Sequence, residues 1–234
     1  MSNKYREIKR QCRQIFYSRL FHAALVLIFV VGFWLGTSFS AHALSALSFD
    51  GGDDFTYVEF PEGTTFDAFT LQVWVKPGTF DPSTESHAAW IRAVDQLPPR
   101  NGYTKTNYSK FLLHPDKSDR TKWRFQIDTS AGSMNILANT TLIDANDWYH
   151  IMVIYDGSAV RLYQDGQFAG SQPLSGSVEN VYSIWFGRWV HAISGSIGMI
   201  AIHDRAPSDE EEMAAFICEP GSTDPFAFWP LNDP

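Results

Sequence analysis

Between Trp148 and Gln167 the chain reads WYHIMVIYDGSAVRLYQDGQ. Ile151, Val153 and Tyr155 alternate with Met152 and Ile154, and Asp156-Gly157-Ser158 then breaks the run. Val160, Leu162 and Gln164 alternate with Arg161 and Tyr163, and Asp165-Gly166 follows. Period-two runs interrupted by Asp-Gly predict two antiparallel strands and the start of a third, because glycine accepts the positive φ that a two-residue hairpin turn demands. Trp148, at the head of the first strand, offers a large apolar face to a core. A meander of this kind needs a second sheet to cover it.

Short apolar runs between turn signals recur on both sides. They cover Tyr57 to Phe60, Thr70 to Lys76, Ala88 to Val94, Lys110 to Leu113, Lys122 to Ile127 and Asn135 to Ala138, and then Phe168 to Pro173, Tyr182 to Phe186 and Gly195 to His203. Many short strands at regular spacing predict an all-β fold, an antiparallel jelly-roll β-sandwich. The segment Asp95 to Ser109, rich in Pro, Asn, Thr and Tyr, has no such pattern and reads as a surface loop. One short C-terminal helix is expected, with Ser208 as its cap and Glu211 three residues on. Its acidic first turn suits the helix dipole, and Met213, Phe216 and Ile217 give it an apolar face. In Phe226-Ala227-Phe228-Trp229 both faces of an extended strand would be apolar, which predicts a buried strand rather than a free tail.

Residues 1–43 follow a different grammar. Six basic residues precede an apolar run from Ala23 to Leu35, and Ala41-His42-Ala43 is a small-residue cleavage pattern. This predicts a signal peptide over 1–43 and a domain over 44–234, secreted, periplasmic or extracellular. The alternative is an uncleaved membrane anchor over residues 21–39. Export changes the charge balance: six of 18 Lys+Arg and one of 26 Asp+Glu precede Leu44, leaving 12 and 25, a net charge of −13. Such a surface repels nucleic acid and anionic lipid, so neither is expected as a partner once the leader is cleaved. With Cys12 in the leader, the mature part keeps Cys218 alone. That residue reads as a small buried hydrophobe, with pairing between two chains as the alternative.

The residues around the meander resemble a known family. Trp148-x-His150, Tyr155-Asp156-Gly157 and Leu162-Tyr163-x-Asp165-Gly166 are similar to the laminin-G-like and pentraxin-like jelly rolls of the concanavalin A-like lectin/glucanase group. Phe49-Asp50-Gly51 resembles that group's opening strand, Phe69 to Pro77 its next long strand, and Gly195 to Ser208 its closing strand and short helix. The resemblance implies that a structural calcium ion could be held by Asp50, Asp53 and Asp54. The group's paired acids on the closing strand are replaced here by Gly198 and Met199. The same three aspartates would also suit a turn with no metal. The family's first strand has no counterpart before Phe49, which points to the C-terminal segment as its replacement, as in a circular permutation.

Candidate chemistry follows. Glucanases of this group place carboxylates at alternate positions of one strand, and no such strand occurs here. The Arg, Gln, His and Tyr set of related lyases has possible members in Arg124, Gln126, His150 and Tyr155, without a recognisable spacing. Aromatic residues in loop-rich regions suit stacking on sugar rings, which selects Trp90, Tyr103, Tyr108, Trp189 and His191 as ligand candidates. Trp74, Trp148 and Trp185 lie in strong strand patterns and are expected in the core. The reading is an exported, non-catalytic binding module whose partner is a glycan. The alternatives are a protein-interaction or structural surface without a sugar site, and a polysaccharide hydrolase or lyase.

Overall fold

The computed structural model describes residues 46–52, 54–78, 90–95, 109–116, 122–139, 147–187, 193–218 and 224–229. The predicted leader and Asp53 lie outside them, as do Tyr103, Tyr108, Trp189 and His191. The described strands are β1 (Leu47–Asp50), β2 (Thr56–Glu59), β3 (Phe69–Pro77), β4 (Ile91–Val94), β5 (Ser109–Pro115), β6 (Trp123–Thr129), β7 (Gly132–Leu137), β8 (Tyr149–Tyr155), β9 (Ala159–Gln164), β10 (Gln167–Pro173), β11 (Ser183–Phe186), β12 (Ser194–His203) and β13 (Ala227–Trp229). One helix, α1 (Glu210–Cys218), precedes β13. Each paired ladder is antiparallel, in a seven-stranded sheet ordered β1-β12-β3-β8-β9-β10 with β13 also on β12, and a six-stranded sheet ordered β2-β11-β4-β5-β6-β7.

The predicted meander is β8-β9-β10. Asp165 and Gly166 both take positive φ, 52° and 78°, as a tight hairpin turn requires. At the β8–β9 turn, Asp156 Oδ1 accepts the backbone N–H groups of Ser158 (2.9 Å) and Ala159 (2.8 Å), while its other oxygen pairs with Arg161. Burial alone would raise the Asp156 carboxyl. The Ser158 and Ala159 hydrogen bonds and the Arg161 charge outweigh it, so its pKa lies below the ordinary value.

The sheets close on one core. Phe69, Leu71, Val73 and Val75 of β3 and Tyr149, Ile151, Val153 and Tyr155 of β8 face it from one side. Ile91 and Ala93, Phe111 and Leu113, and Trp123, Phe125 and Ile127 face it from the other. Strict alternation then sends Gln72, Trp74, His150 and Met152 to the outside of the seven-stranded sheet, and Arg92, Leu112, Arg124 and Gln126 to the outside of the six-stranded one.

That alternation corrects the tryptophan assignments. Trp74 and Trp148, expected in the core, are half-buried on the outer face of the seven-stranded sheet, because Val73, Val75 and Tyr149 take the inward positions. A Cβ added at Gly198 would lie 3.4 Å from the Trp148 ring and 3.1 Å from the Trp74 Cβ, so both side chains pack over that glycine. Trp185 is buried but on the outer face, since Ile184 and Phe186 point inward. The core tryptophans are Trp90 and Trp123, whose rings meet edge to face at 6.2 Å.

The C-terminal segment pairs with the closing strand: Ile200↔Trp229, Ala201↔Phe228 and Ile202↔Ala227. β1 occupies the preceding stretch of the same edge, with Leu47↔Ile197 through Asp50↔Ser194. One edge of β12 is thus covered in two pieces, and the unpaired backbone that a missing first strand would leave is taken up. Phe226 is more exposed than expected, at 43 %, although its ring stacks on Phe60 at 5.4 Å.

The helix cap is shifted by one residue from Ser208 and Glu211. The Glu212 N–H donates to Asp209 Oδ1 at 2.8 Å, and Glu212 Oε2 accepts the Ser208 N–H at 2.6 Å. A carboxylate caps as well as a hydroxyl, and here Asp209 is the residue poised before the first turn. The Ser208 N–H and the Arg205 side chain pull the Glu212 pKa down to about 2. Cys218 is half-buried rather than buried as expected, because Phe216 takes the helix's buried position. Among the described residues, no helix is long and apolar enough to cross a membrane.

Candidate functional site: the outer face of the six-stranded sheet

The register of the six-stranded sheet lines up one residue from each strand. Tyr57 pairs with Trp185, Trp185 with Arg92, Arg92 with Leu112, Leu112 with Gln126, and Gln126 with Asn135. None of these six belongs to the core cluster, so they form a row across the outer face. With strands about 4.8 Å apart, the row from Tyr57 to Gln126 spans roughly 19 Å.

The β2 end of the row is aromatic. Phe55 and Tyr57 are 43 % and 40 % exposed. Phe55 stacks on the Trp185 indole at 5.9 Å and 27°, and Tyr57 lies 6.4 Å from the same ring. The indole is fixed from below, where its Nε1–H donates to Ser183 Oγ at 2.8 Å. Two exposed rings on a buried, hydrogen-bonded third make a rigid platform of the type that meets the apolar face of a sugar or another ring.

Polar groups fill the middle. Arg92 is buried, and its Nε–H donates to Ser109 Oγ at 2.8 Å across the β4–β5 ladder. On the neighbouring row His114 is opposite Arg124, and Arg124 opposite Leu137. The Arg124 Nε–H donates to Asp116 Oδ2 at 2.5 Å, a second guanidinium nitrogen reaches the same oxygen, and Asp116 is only 2 % exposed. Asp128, farther along β6, accepts the Ser133 hydroxyl. Lys110 Nζ lies 4.0 Å from Asp95 Oδ2. Gln126 is half-buried and Asn135 exposed, so amide donors and acceptors are presented beside the aromatic platform.

The sequence candidates fall differently. Trp90 is fully buried between the sheets, with no described path to a ligand, and is a core residue. Tyr103, Tyr108, Trp189 and His191 lie outside the described residues. The possible lyase set is not assembled: Arg124 and Gln126 are on this face, His150 is on the outside of the other sheet, and Tyr155 is in the core. Burial lowers the His150 pKa to about 4. Phe55, Tyr57, Arg92 and Asn135 were not singled out from sequence. The signal available for Phe55 and Tyr57 was their spacing of two in a strand whose other face carries the partly buried Val58.

Asp50 and Asp54 are together but already engaged. Asp50 Oδ1 accepts the Gly52 N–H at 2.6 Å, and Asp54 Oδ2 accepts the Asp50 N–H at 3.2 Å. Calcium takes roughly six to eight oxygens. Among the described residues no group of three His, Cys, Asp or Glu could hold a metal ion, and Asp53 lies outside them.

The Laminin_G_3 sequence profile, described as the concanavalin A-like lectin/glucanases superfamily, matches residues 50–211. The chain belongs to this superfamily. No curated protein sequence matches the chain. Among solved structures, this concanavalin A-like protein is similar to the heptameric SAP-like pentraxin of Limulus polyphemus, with 12 % identity, a TM-score of 0.51, and 74 % of this chain and 81 % of that one covered. A Bacteroides ovatus protein, named as a candidate carbohydrate binding protein, has 14 % identity and a TM-score of 0.56, with 81 % of this chain and 52 % of that one covered. The chain thus spans about half the length of the second. At these identities the likeness shows the fold alone, and it agrees with the two antiparallel sheets.

Proposed function

We propose that the protein is an exported, non-catalytic binding module and that it takes a glycan on the outer face of the six-stranded sheet. The observation that carries this is the exposed Phe55–Tyr57 pair on the Trp185 indole, continued by Arg92, Gln126 and Asn135 in one cross-strand row. Sugars bind where an apolar ring face meets aromatic carbon and neighbouring polar groups fix the hydroxyls. The carbohydrate-binding name of the Bacteroides ovatus neighbour is in keeping with this reading. On this face Asp116 is committed to Arg124 and Asp128 to Ser133, while Glu59 stands exposed on β2.

A glycan array probed with the full chain tests the proposal. Wild type is expected to bind at least one glycan class, and Tyr57→Ala and Phe55→Ala to lose it. No glycan bound, or binding indifferent to both substitutions, would contradict it. A protein ligand captured through the same two rings would instead establish the protein-interaction alternative. Calcium at Asp50, Asp53 and Asp54 is a separate proposal. It requires a melting temperature that rises with added calcium and does not rise in Asp53→Ala.

A further inference from the structure

We infer that the side of the sandwich formed by β7 and β10 is a contact surface for a second copy of this chain. The inference does not depend on what the six-stranded sheet binds.

The edges of the two sheets differ in charge. At one edge of each sheet lies a strand that ends in an acid, β1 in Asp50 and β2 in Glu59. At the opposite edges lie β10 and β7. The 11 residues from Thr129 to Asn139 and the 13 from Gly166 to Val178 contain no Asp, Glu, Lys, Arg or His. In a chain with 19 % charged residues about four or five would be expected there, and charge is a common guard of an exposed edge.

The two uncharged segments lie side by side. The Asn139 N–H donates to the Ala169 carbonyl at 2.8 Å, and the Ser130 N–H to the Ser177 carbonyl at 2.9 Å, so they are tied near both ends. A Cβ added at Gly170 would lie 3.5 Å from the Leu137 carbonyl oxygen. Apolar side chains emerge along this side. Phe168 is 53 % and Leu137 39 % exposed, and the partly buried Met134 and Leu174 touch the core beneath. The Ala138 N–H turns inward to the Trp123 carbonyl at 2.8 Å, whereas that of Asn139 turns outward. By the same alternation Ser133 and Asn135 direct their backbone N–H and C=O away from β6, where no described strand pairs with them. The charges one strand in are engaged: Arg124 with Asp116, Asp128 with Ser133, and Arg161 with Asp156.

These features select a second copy as the occupant. The chain carries a net charge of −8, and −13 without residues 1–43, so two copies repel except where neither presents a charge. An uncharged edge is also self-complementary. About a two-fold axis at Met134, Ser133 of each copy meets Asn135 of the other, and their outward N–H and C=O groups are exchanged as in an antiparallel ladder. Such a contact closes at two copies. The seven residues of β10 make the side roughly 23 Å long, and two sheets with their side chains make it about 20 Å deep. About 900 Å² would be buried in all, the low end for a specific interface, so the dimer is weak and reversible.

Sedimentation velocity of the full chain tests this, in reducing buffer so that a cross-link through cysteine contributes nothing. The mass is expected to rise from one copy to two with a Kd between about 1 μM and about 1 mM. Association should strengthen as salt is raised, because salt screens the repulsion between two acidic copies. Asn135→Lys and Phe168→Lys set like charges face to face and should each weaken it about tenfold or more, with an unchanged melting temperature in dilute solution. Ser48→Lys, exposed on β1 at the opposite edge, should leave it unchanged. A chain that stays monomeric up to about 1 mM would overturn the inference and leave this side to another partner. Association that both lysines on β7 and β10 leave intact, or that Ser48→Lys removes, would overturn it by placing the contact elsewhere. A mass that climbs past two copies would overturn the two-fold pairing.

Discussion

The two sheets bury nearly the same kind of inner face and present opposite outer faces. Outside the seven-stranded sheet lie Thr70, Gln72, His150, Met152, Ile154, Ala201 and His203, all buried. Phe216 of α1 stacks on His203 at 4.0 Å and 13°, and Thr70 Oγ1 donates to the Arg205 carbonyl at 2.8 Å. Neither amide atom of Gln72 and neither ring nitrogen of His150 has a hydrogen-bond partner among the described residues. Outside the six-stranded sheet Asp116 is paired with Arg124 and Asp128 with Ser133, Glu59 is exposed, and aromatic rings stand exposed at the edge. A face that is covered tolerates orphaned polar atoms at a cost in stability. A face that recognises a ligand holds its polar groups in fixed, hydrated positions.

The sharpest consequence of the contrast is a pH dependence that belongs to the covered face. Unfolded His150 binds a proton below its ordinary value of 6.5, whereas the buried ring resists it down to about 4. The unfolded state therefore binds more protons between these values, and stability falls as pH drops through that window, by about 3 kcal/mol over the full range. Denaturant unfolding at pH 7 and pH 4 reads this, and His150→Leu should lose that part of the dependence. An equal dependence in wild type and variant would mean the imidazole is not held neutral.

Next in size is the ion pair on the opposite face. Arg124→Met leaves the Asp116 carboxylate buried without its cation and should cost about 3 kcal/mol, somewhat less if water reaches the half-exposed site. Gln72→Leu should do the reverse on the covered face. It removes a buried amide with no partner and should raise stability by about 1 kcal/mol. A loss there would show that Gln72 has a partner after all, and the contrast between the faces would weaken. Smallest of all, Tyr57→Ala should change stability by less than about 0.5 kcal/mol, as for an exposed position outside the core, while removing ligand binding.

The strands and their order of appearance were readable because period-two alternation and Asp-Gly turns are local signals. Asp165-Gly166 takes the conformation its sequence predicts, and β3 differs from the expected Thr70 to Lys76 by one residue at each end. Which face of a strand looks inward was less readable. β8 is buried at all seven positions, YHIMVIY, so its apolar residues do not distinguish core from covered outer face. Trp148, at the head of β8, was misplaced for that reason, whereas Trp90, just ahead of β4, was read as a loop aromatic and is core. The cross-strand row was not readable at all. Tyr57, Trp185, Arg92, Gln126 and Asn135 lie on five strands scattered over nearly 130 residues of sequence, and only the register unites them. The helix cap missed by one residue because Ser208 and Asp209 are both competent caps with an acid three residues on.

The central claim is that the outer face of the six-stranded sheet is the recognition surface, and backbone amide shifts during titration with a glycan that the array identifies test it most directly. The account predicts that the shifting amides cluster on β2, β11, β4, β5 and β6, with Tyr57, Trp185, Arg92 and Gln126 among the largest changes and with β3, β8 and β12 still. Shifts centred on Gln72, His150 and Ala201, with the β2–β6 face unmoved, would contradict it.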